Sequence, residues 1–326
     1  MGKDIKYVKN DNLPLIKSGF RGNVLINGRF SPYEEYHGAG FFKMLKWVLS
    51  KNPQKSDLIR EKSITSVERI KSFEKNSIYW LGHSSFYINT GGVSFITDPV
   101  FFDLVTNKRD TPLPVNPADI KNIDYLLISH DHYDHLSIRS VSSLIKNNEN
   151  IEALLPLNTG SLFDNCPLKS VPRQEAGWFQ EYGVKSGVKV IFLPAAHWCR
   201  RGLFDMNKRL WGSFLIDTGS VKIYFAGDTA YNENMFRDIR ETIGAPDICL
   251  IPIGSYSPWY IMRDHHMNPE EAAAAFRILG GEIFIPMHYG TYTLSSEPAG
   301  EPPKRLKKVL DGKNTVMLNI GGRYKL

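Results

Sequence analysis

Six consecutive residues, His130-Asp131-His132-Tyr133-Asp134-His135, hold three of the chain's nine histidines. Imidazole nitrogens and carboxylate oxygens are donors that suit zinc, and equally iron or manganese. The run follows "IDYLLIS", residues 123–129, whose apolar and β-branched content predicts a buried strand. On an extended chain alternate residues point to one side, so His130 and His132 converge on one point. Past a bend at Tyr133, Asp134 and His135 reach a neighbouring point. A window so dense in donors is read as a metal site rather than as a set of satisfied core histidines.

One local run cannot complete two metal shells, so further donors must come from a distance. His197 follows "VIFLPAA", Asp228 follows "KIYFAG" and His288 follows "EIFIPM". Each stands just after an apolar strand, as His130 does, and strand ends of one direction meet along one edge of a sheet. Polar residues often follow strands, so the argument lies in the recurrence and not in any single residue. His83, in "GHSSF", is read as satisfying a strand turn near the site and is left out of the metal set. Cys199, beside His197, is read as a small buried residue.

The elements that must position these residues alternate between strand and helix. Short β-rich runs ("SIYWL", "SFYIN", "VSFITD") open the pattern, with a Gly91-Gly92 hairpin turn between the second and third. Ser140 to Lys146 is read as helical, and "IEALLP" and "GVKVIFLPA" as strands. "GSFLIDTGSVKIYFAGD" is read as a hairpin turned at Thr218-Gly219-Ser220. A helical stretch around Glu233 to Ile243 precedes the strand in "APDICLIPIG". Helix "NPEEAAAAFRILGG" has Asn268 as its N-cap, Pro269 in its first turn and Gly280-Gly281 at its end. "PPKRLKKVLDG" predicts a last helix and "TVMLNI" a last strand. The whole is mixed α/β.

With 326 residues, 42% hydrophobic and 23% charged, the chain is of soluble globular type. No apolar run is long enough to span a membrane, and the N-terminus has no apolar core of a signal peptide. Lys6 stands where a myristoylation signal needs Ser or Thr. Cys166, Cys199 and Cys249 make no disulfide framework, which points to a reducing, cytoplasmic setting. Residues 1–62 carry twelve Lys/Arg against six Asp/Glu, so the whole formal charge of +6 lies there. Residues 1–75 are read as a basic, partly amphipathic arm packed on a catalytic domain of residues 76–326. Within the arm, Phe41, Phe42, Leu45, Val48 and Leu49 recur at helical spacing among Lys43, Lys46 and Lys51. Such a helix either packs on the body with its lysines in water, the favoured reading, or lies on an anionic membrane surface or lines the mouth of a lipid site. A charge this mild gives no case for nucleic acid.

His-x-His-x-Asp-His, followed in order by a distant His, Asp and His, resembles the metallo-β-lactamase fold hydrolases. "WLGHSSF", "TDPVF", "ISHDHYDHLS", "AAHWCRR", "WGSFLI", "FAGDTAY", "LIPIGSY", "NPEEA" and "MHYGTY" resemble, within them, the N-acyl-phosphatidylethanolamine-hydrolysing phospholipase D branch. The similarity runs from about Ser77 to about Pro302. It implies an α/β fold of the αββα four-layer sandwich type, with two zinc ions per subunit, iron or manganese being alternatives. Carried over, His130, His132 and His197 hold one ion, Asp134, His135 and His288 the second, and Asp228 bridges both. Asp98 orients a ligand histidine, unless it only caps its strand before Pro99.

The resemblance further implies a phosphodiesterase that releases N-acylethanolamine and phosphatidate through a metal-bridging hydroxide. Asp134 or Asp228 holds and deprotonates the water. His266, just before a helix N-terminus, serves the phosphate or the leaving group. His265 departs from the branch, which has glutamine there. Tyr133, His265, His266 and Tyr256 are the expected substrate contacts. Tyr256 is included because "GSYSPWYIMRDHHMN" is a long aromatic loop of the kind that forms substrate walls. The expected partner is a phospholipid at a membrane surface, with peripheral attachment, and a homodimer is implied. A lactonase, or a phosphodiesterase for cyclic or nucleotide substrates, is the alternative on the same metals. A nuclease would need a strand-binding groove of which the sequence shows no sign. A metal-binding module without turnover is the reading from another class.

Overall fold

The fold is that of a computed structural model, which describes residues 4–34, 49–50, 66–164, 166–310, 312 and 314–326. The amphipathic stretch at 40–55 lies outside the described residues, except for Leu49 and Ser50. Strands β1 (Ile5–Val8), β2 (Asn23–Ile26) and β3 (Arg29–Phe30) form a small antiparallel sheet. This first part of the arm is pinned to the body. Lys17 and Tyr33 both bind Asp238, Asn10 donates to the Glu175 carbonyl, and Leu13, Leu15, Ile16 and Phe20 pack on the main core.

Six strands follow: β4 (Ser77–Gly82), β5 (Ser85–Thr90), β6 (Val93–Thr97), β7 (Tyr125–Leu127), β8 (Glu152–Pro156) and β9 (Arg173–Ala176). The next six are β10 (Gln180–Tyr182), β11 (Lys189–Leu193), β12 (Ser213–Asp217), β13 (Lys222–Phe225), β14 (Ile248–Pro252) and β15 (Ile283–Met287). These latter form one six-stranded sheet in chain order, while β16 (Arg323–Lys325) joins β4 to complete a seven-stranded sheet. The Gly91-Gly92 turn is the expected hairpin. Both glycines have positive φ, and Thr90 pairs with Val93 across a two-residue loop. "TVMLNI" is not a strand. Only Thr315 and Ile320 make isolated bridges, to Phe284 and Val67, and the polar Arg323–Lys325 takes the sheet edge instead.

Period-two alternation in the first sheet separates two cores. Ile78, Trp80, Phe86, Ile88, Phe95 and Leu127 face the second sheet. Tyr79, Leu81, Tyr87, Ile96, Leu126 and Leu155 face the other way, towards α1 (Ile138–Ile145) and α2 (Ser161–Asp164). Beyond the second sheet lie α3 (Glu233–Ile243), the short α4 (Trp259–Met262), α5 (Pro269–Leu279) and α6 (Glu301–Val309). Met235, Phe236, Ile239, Ala272 and Phe276 join the main core from α3 and α5. The result is the αββα order of layers. Among the described residues no helix is long and apolar enough to cross a membrane.

Strands β6, β7, β8 and β9 run parallel, as do β13, β14 and β15. Parallel strands deliver the residues after their C-terminal ends to one edge, where open α/β sheets place their sites.

Candidate metal centre

At that edge the donors meet. Asp98 follows β6, His130 follows β7, His197 follows β11, Asp228 follows β13 and His288 follows β15. Alternation in the opening motif works as the strand rule requires. His130 and His132 turn inward, while Asp131 turns away and binds Arg209 and the backbone NH of Arg200 at 2.9 Å. Arg201 donates to the carbonyls of Asp131 and Leu136 at 2.6 and 2.8 Å, so "HWCRR" straps the motif loop from outside. Cys199 is fully buried, as expected.

Two clusters form. In the first, His130 Nε2 lies 2.9 Å from His132 Nδ1, and His197 Nε2 lies 3.3 Å from the same atom. The second gathers His83, Asp134, His135 and His288. Asp228 Oδ2 stands between them. It is 3.1 Å from His135 Nε2, 3.1 Å from His288 Nε2 and 4.0 Å from His197 Nε2. Outer contacts fix the rings. Asp98 accepts from His135 Nδ1 at 2.7 Å, the His265 carbonyl accepts from His197 Nδ1 at 2.9 Å, and Ser129 Oγ lies 2.9 Å from His130 Nδ1.

The electrostatics suit cations. Burial, reinforced by neighbouring imidazoles, holds His130 and His197 well below the usual histidine range, so both keep free lone pairs at neutral pH. Burial alone would raise Asp134 and Asp228. The histidines beside them, His135 foremost, outweigh it and keep both carboxylates ionised. Among the described residues, buried Asp228 Oδ1 and His132 Nε2 have no hydrogen-bond partner, and buried His135 Nε2 and His288 Nε2 face only the aspartate carboxylates. In each cluster the donor nitrogen and oxygen atoms, one from each residue, lie within 4.8 Å of one another, and a buried donor set of histidine and aspartate so arranged fits a metal ion.

A cavity of about 680 Å³ opens above the clusters. His132, Asp134, Asp228, His265, His266 and His288 line its floor. Leu104, Val105, Met206, Ile261, Met262 and Leu294 supply apolar walls, with Tyr133, Trp198 and Arg200 also in the lining. His266 Nδ1 lies 3.8 Å from Asp228 Oδ2, and burial lowers its pKa to about 3, so its ring is neutral. His265 is likewise lowered, to about 4, by burial and then by His132. Tyr256 is not in this lining. Its hydroxyl donates to Glu301 at 2.7 Å and Arg305 stacks on its ring at 4.7 Å, so it braces α6 and is corrected from a substrate contact to a structural one. His83, omitted from the metal set on sequence grounds, is brought into the second cluster. Its sole sequence signal was a histidine at a glycine turn ending a strand.

The beta-lactamase superfamily domain model matches residues 94–289. The chain belongs to the beta-lactamase superfamily. Within this superfamily it is 34% identical, over 251 residues, to N-acyl-phosphatidylethanolamine-hydrolyzing phospholipase D 1 of Caenorhabditis elegans, covering 73% of this chain and 70% of that one. It is 32% identical over 245 residues to a metal-dependent hydrolase of Pyrobaculum arsenaticum, covering 74% of this chain and 96% of the other. Igni18, a metallo hydrolase from the archaeon Ignicoccus hospitalis, superposes with a TM-score of 0.56 at 21% identity, over 76% of this chain and 97% of that one. This superfamily member is a metal-dependent hydrolase.

Proposed function

We propose that this hydrolase is a zinc-dependent phosphodiesterase of phospholipase D type, converting an N-acyl-phosphatidylethanolamine to an N-acylethanolamine and phosphatidate. The observation that carries the reading is an apolar-walled cavity directly above a buried His/Asp cluster, in a chain one-third identical to an enzyme of that name. His130, His132 and His197 would hold one zinc, Asp134, His135 and His288 the other, with Asp228 shared. Bound there, zinc supplies positive charge to the phosphate and brings the pKa of water near neutrality.

The chain's own residues supply the rest. Asp134 and Asp228 are ionised and line the cavity floor, so either can take the proton of the attacking water. As the water oxygen bonds to phosphorus, the bond to the ethanolamine oxygen breaks and that oxygen regains a proton. Neutral His266 offers an N–H to a phosphate oxygen, three positions before the first turn of α5, where the helix dipole favours negative charge. Among the described residues, Arg200 is the one Lys or Arg in the cavity lining.

A lipid surface is the proposed partner. Val105, Tyr133, Leu203, Phe204, Met206, Trp259 and Tyr260 are large apolar side chains left exposed. They belong to the segments that line or adjoin the cavity, and exposed apolar patches mark binding surfaces.

The test is hydrolysis of the lipid in detergent micelles, with both products followed by mass spectrometry. Zinc-loaded protein is expected to yield both products. Metal-stripped protein and Asp134→Asn are expected to fall by about a hundredfold or more. If zinc binds stoichiometrically and neither product forms, the lipid reading fails, and lactones and small soluble phosphodiesters become the substrates to screen.

A further inference from the structure

We propose that His83 is a positioning residue of the metal centre. Its Nε2–H holds the Asp134 carboxylate and its carbonyl holds the backbone of His288, so that both donors face one cation. The inference rests on the two-metal reading of the site and extends it to a residue outside the donor set.

Four observations support it. First, His83 Nε2 lies 3.1 Å from Asp134 Oδ2, and the ring is only 2% exposed, so water does not compete for that bond. Asp134 itself lines the open cavity. A carboxylate there has solvent on one side and needs a fixed partner to keep one oxygen inward. Second, the His83 ring cannot swing. It packs at 4.0 Å centroid distance on His288, at 5.3 Å on His135 and edge-on at 5.3 Å on Tyr292.

Third, the backbone of His83 is tied to the site as well. Its carbonyl accepts from the Trp80 indole at 2.9 Å and from the His288 backbone NH at 3.1 Å, while its own NH donates to Thr291 Oγ1 at 2.7 Å. One residue thus contacts Asp134 by its side chain and His288 by its main chain. Fourth, the turn that carries it is unusual. The register between β4 and β5 shifts between Trp80 and Gly82, and both Gly82 and His83 have positive φ, +102° and +54°. Bulges re-aim side chains, and a left-handed backbone is uncommon outside glycine. A Cβ at Gly82 would run into the Arg109 guanidinium, which is itself held by the Leu81, Val100 and Thr111 carbonyls, so this turn has little freedom to be built otherwise.

A residue that only completes a strand turn would affect folding and nothing else. A residue that positions Asp134 affects one metal equivalent and leaves the other alone. Full-length protein is titrated with Co²⁺ as a spectroscopic probe and with Zn²⁺ for stoichiometry, in wild type, His83→Leu and His83→Gln. His83→Leu is expected to bind the first equivalent normally and the second about 10–100-fold more weakly, with an altered ligand-field spectrum for that equivalent. His83→Gln, whose amide nitrogen can still donate to Asp134, is expected to recover most of the loss. Wild-type affinity and spectrum in His83→Leu would overturn the proposal, as would equal defects in both variants.

A second measurement needs no variant. In ¹⁵N-histidine protein loaded with ¹¹³Cd²⁺, His83 Nε2 must carry a proton and show no coupling to cadmium. Coupling would make His83 a ligand and overturn its positioning role. Failure of the two-metal reading looks different, because wild type then takes up fewer than two equivalents.

Discussion

Asp98 serves three donors with two oxygens. Ser129 N donates at 2.7 Å, Ser129 Oγ at 2.5 Å and His135 Nδ1 at 2.7 Å, all in full burial. Asp98→Asn keeps the shape and removes the charge that fixes the His135 tautomer. A 10–100-fold loss of metal affinity is expected in competition with a chelator, without unfolding. Unchanged affinity would reduce Asp98 to a strand-end cap. His288 makes a prediction about pH. Burial opposes its protonation, yet Asp228 and Asp134 lift its pKa from 6.5 to about 9 in the metal-free protein. A raised folded pKa stabilises fully below the unfolded value and is lost as pH climbs through the folded one. The melting temperature of metal-stripped protein should therefore fall between pH 6.5 and 9.5, as scanning calorimetry would show. The metal-loaded form should lack this fall, because the cation takes the proton's place. At this scale the sequence is most legible where donors are adjacent. His130 to His135 declares itself because strand alternation is a local rule. His83 does not, since its distance to Asp134 depends on a bulge and on pairings far along the chain. Tyr256 reads as a substrate wall only until Glu301, from another element, claims its hydroxyl.

Helix α5 ends the segment that carries His265 and His266, and its start is fixed by a capping box. Asn268 Oδ1 accepts from the Glu271 NH at 2.9 Å, and the Glu271 carboxylate accepts from the Asn268 NH at 3.0 Å. Asn268→Ala should cost about 1 kcal/mol in denaturant unfolding. It should also raise KM more than it lowers kcat, if His266 contacts substrate. Gly254 is tighter still. A Cβ there would overlap the His288 carbonyl oxygen, which is backbone and cannot rotate away. Gly254→Ala should therefore lower metal content as well as stability, measured by metal analysis and calorimetry together. Elements with caps and strict periods are the ones legible beforehand. Asn268, Pro269 and Gly280 mark α5, and Gly91-Gly92 marks its hairpin. "TVMLNI" misleads because apolar alternation reports burial, and burial without a neighbouring ladder makes no strand. The short β9 and β10 escape notice because "RQEA" and "QEY" are polar and take their conformation from the strands beside them.

Across the whole molecule, the exposed side chains around the cavity make the lipid reading testable apart from the chemistry. Leu203 and Phe204 are 78% and 80% exposed, so replacing both with Asp should leave folding intact. Burying each apolar chain contributes on the order of 1.5–3 kcal/mol, so vesicle binding by co-sedimentation should fall at least about tenfold. Turnover of a short-chain soluble analogue should stay as it was. Equal losses on both substrates would place these residues in the fold or the site instead. The layer order was legible from alternating strands and helices together with the family resemblance; the partition into two cores was not, because it depends on which face each strand turns to which sheet. That partition has a mechanical side. His130, His132, Asp134 and His135 hang from the seven-stranded sheet, and His197, Asp228 and His288 from the six-stranded one. Each proposed cation therefore takes donors from both sheets and acts as a removable cross-link along one edge of the sandwich. Chelation would unfasten that edge alone. Amide hydrogen exchange should then quicken in residues 128–136 and 226–230, while the far end of the same strands keeps its protection.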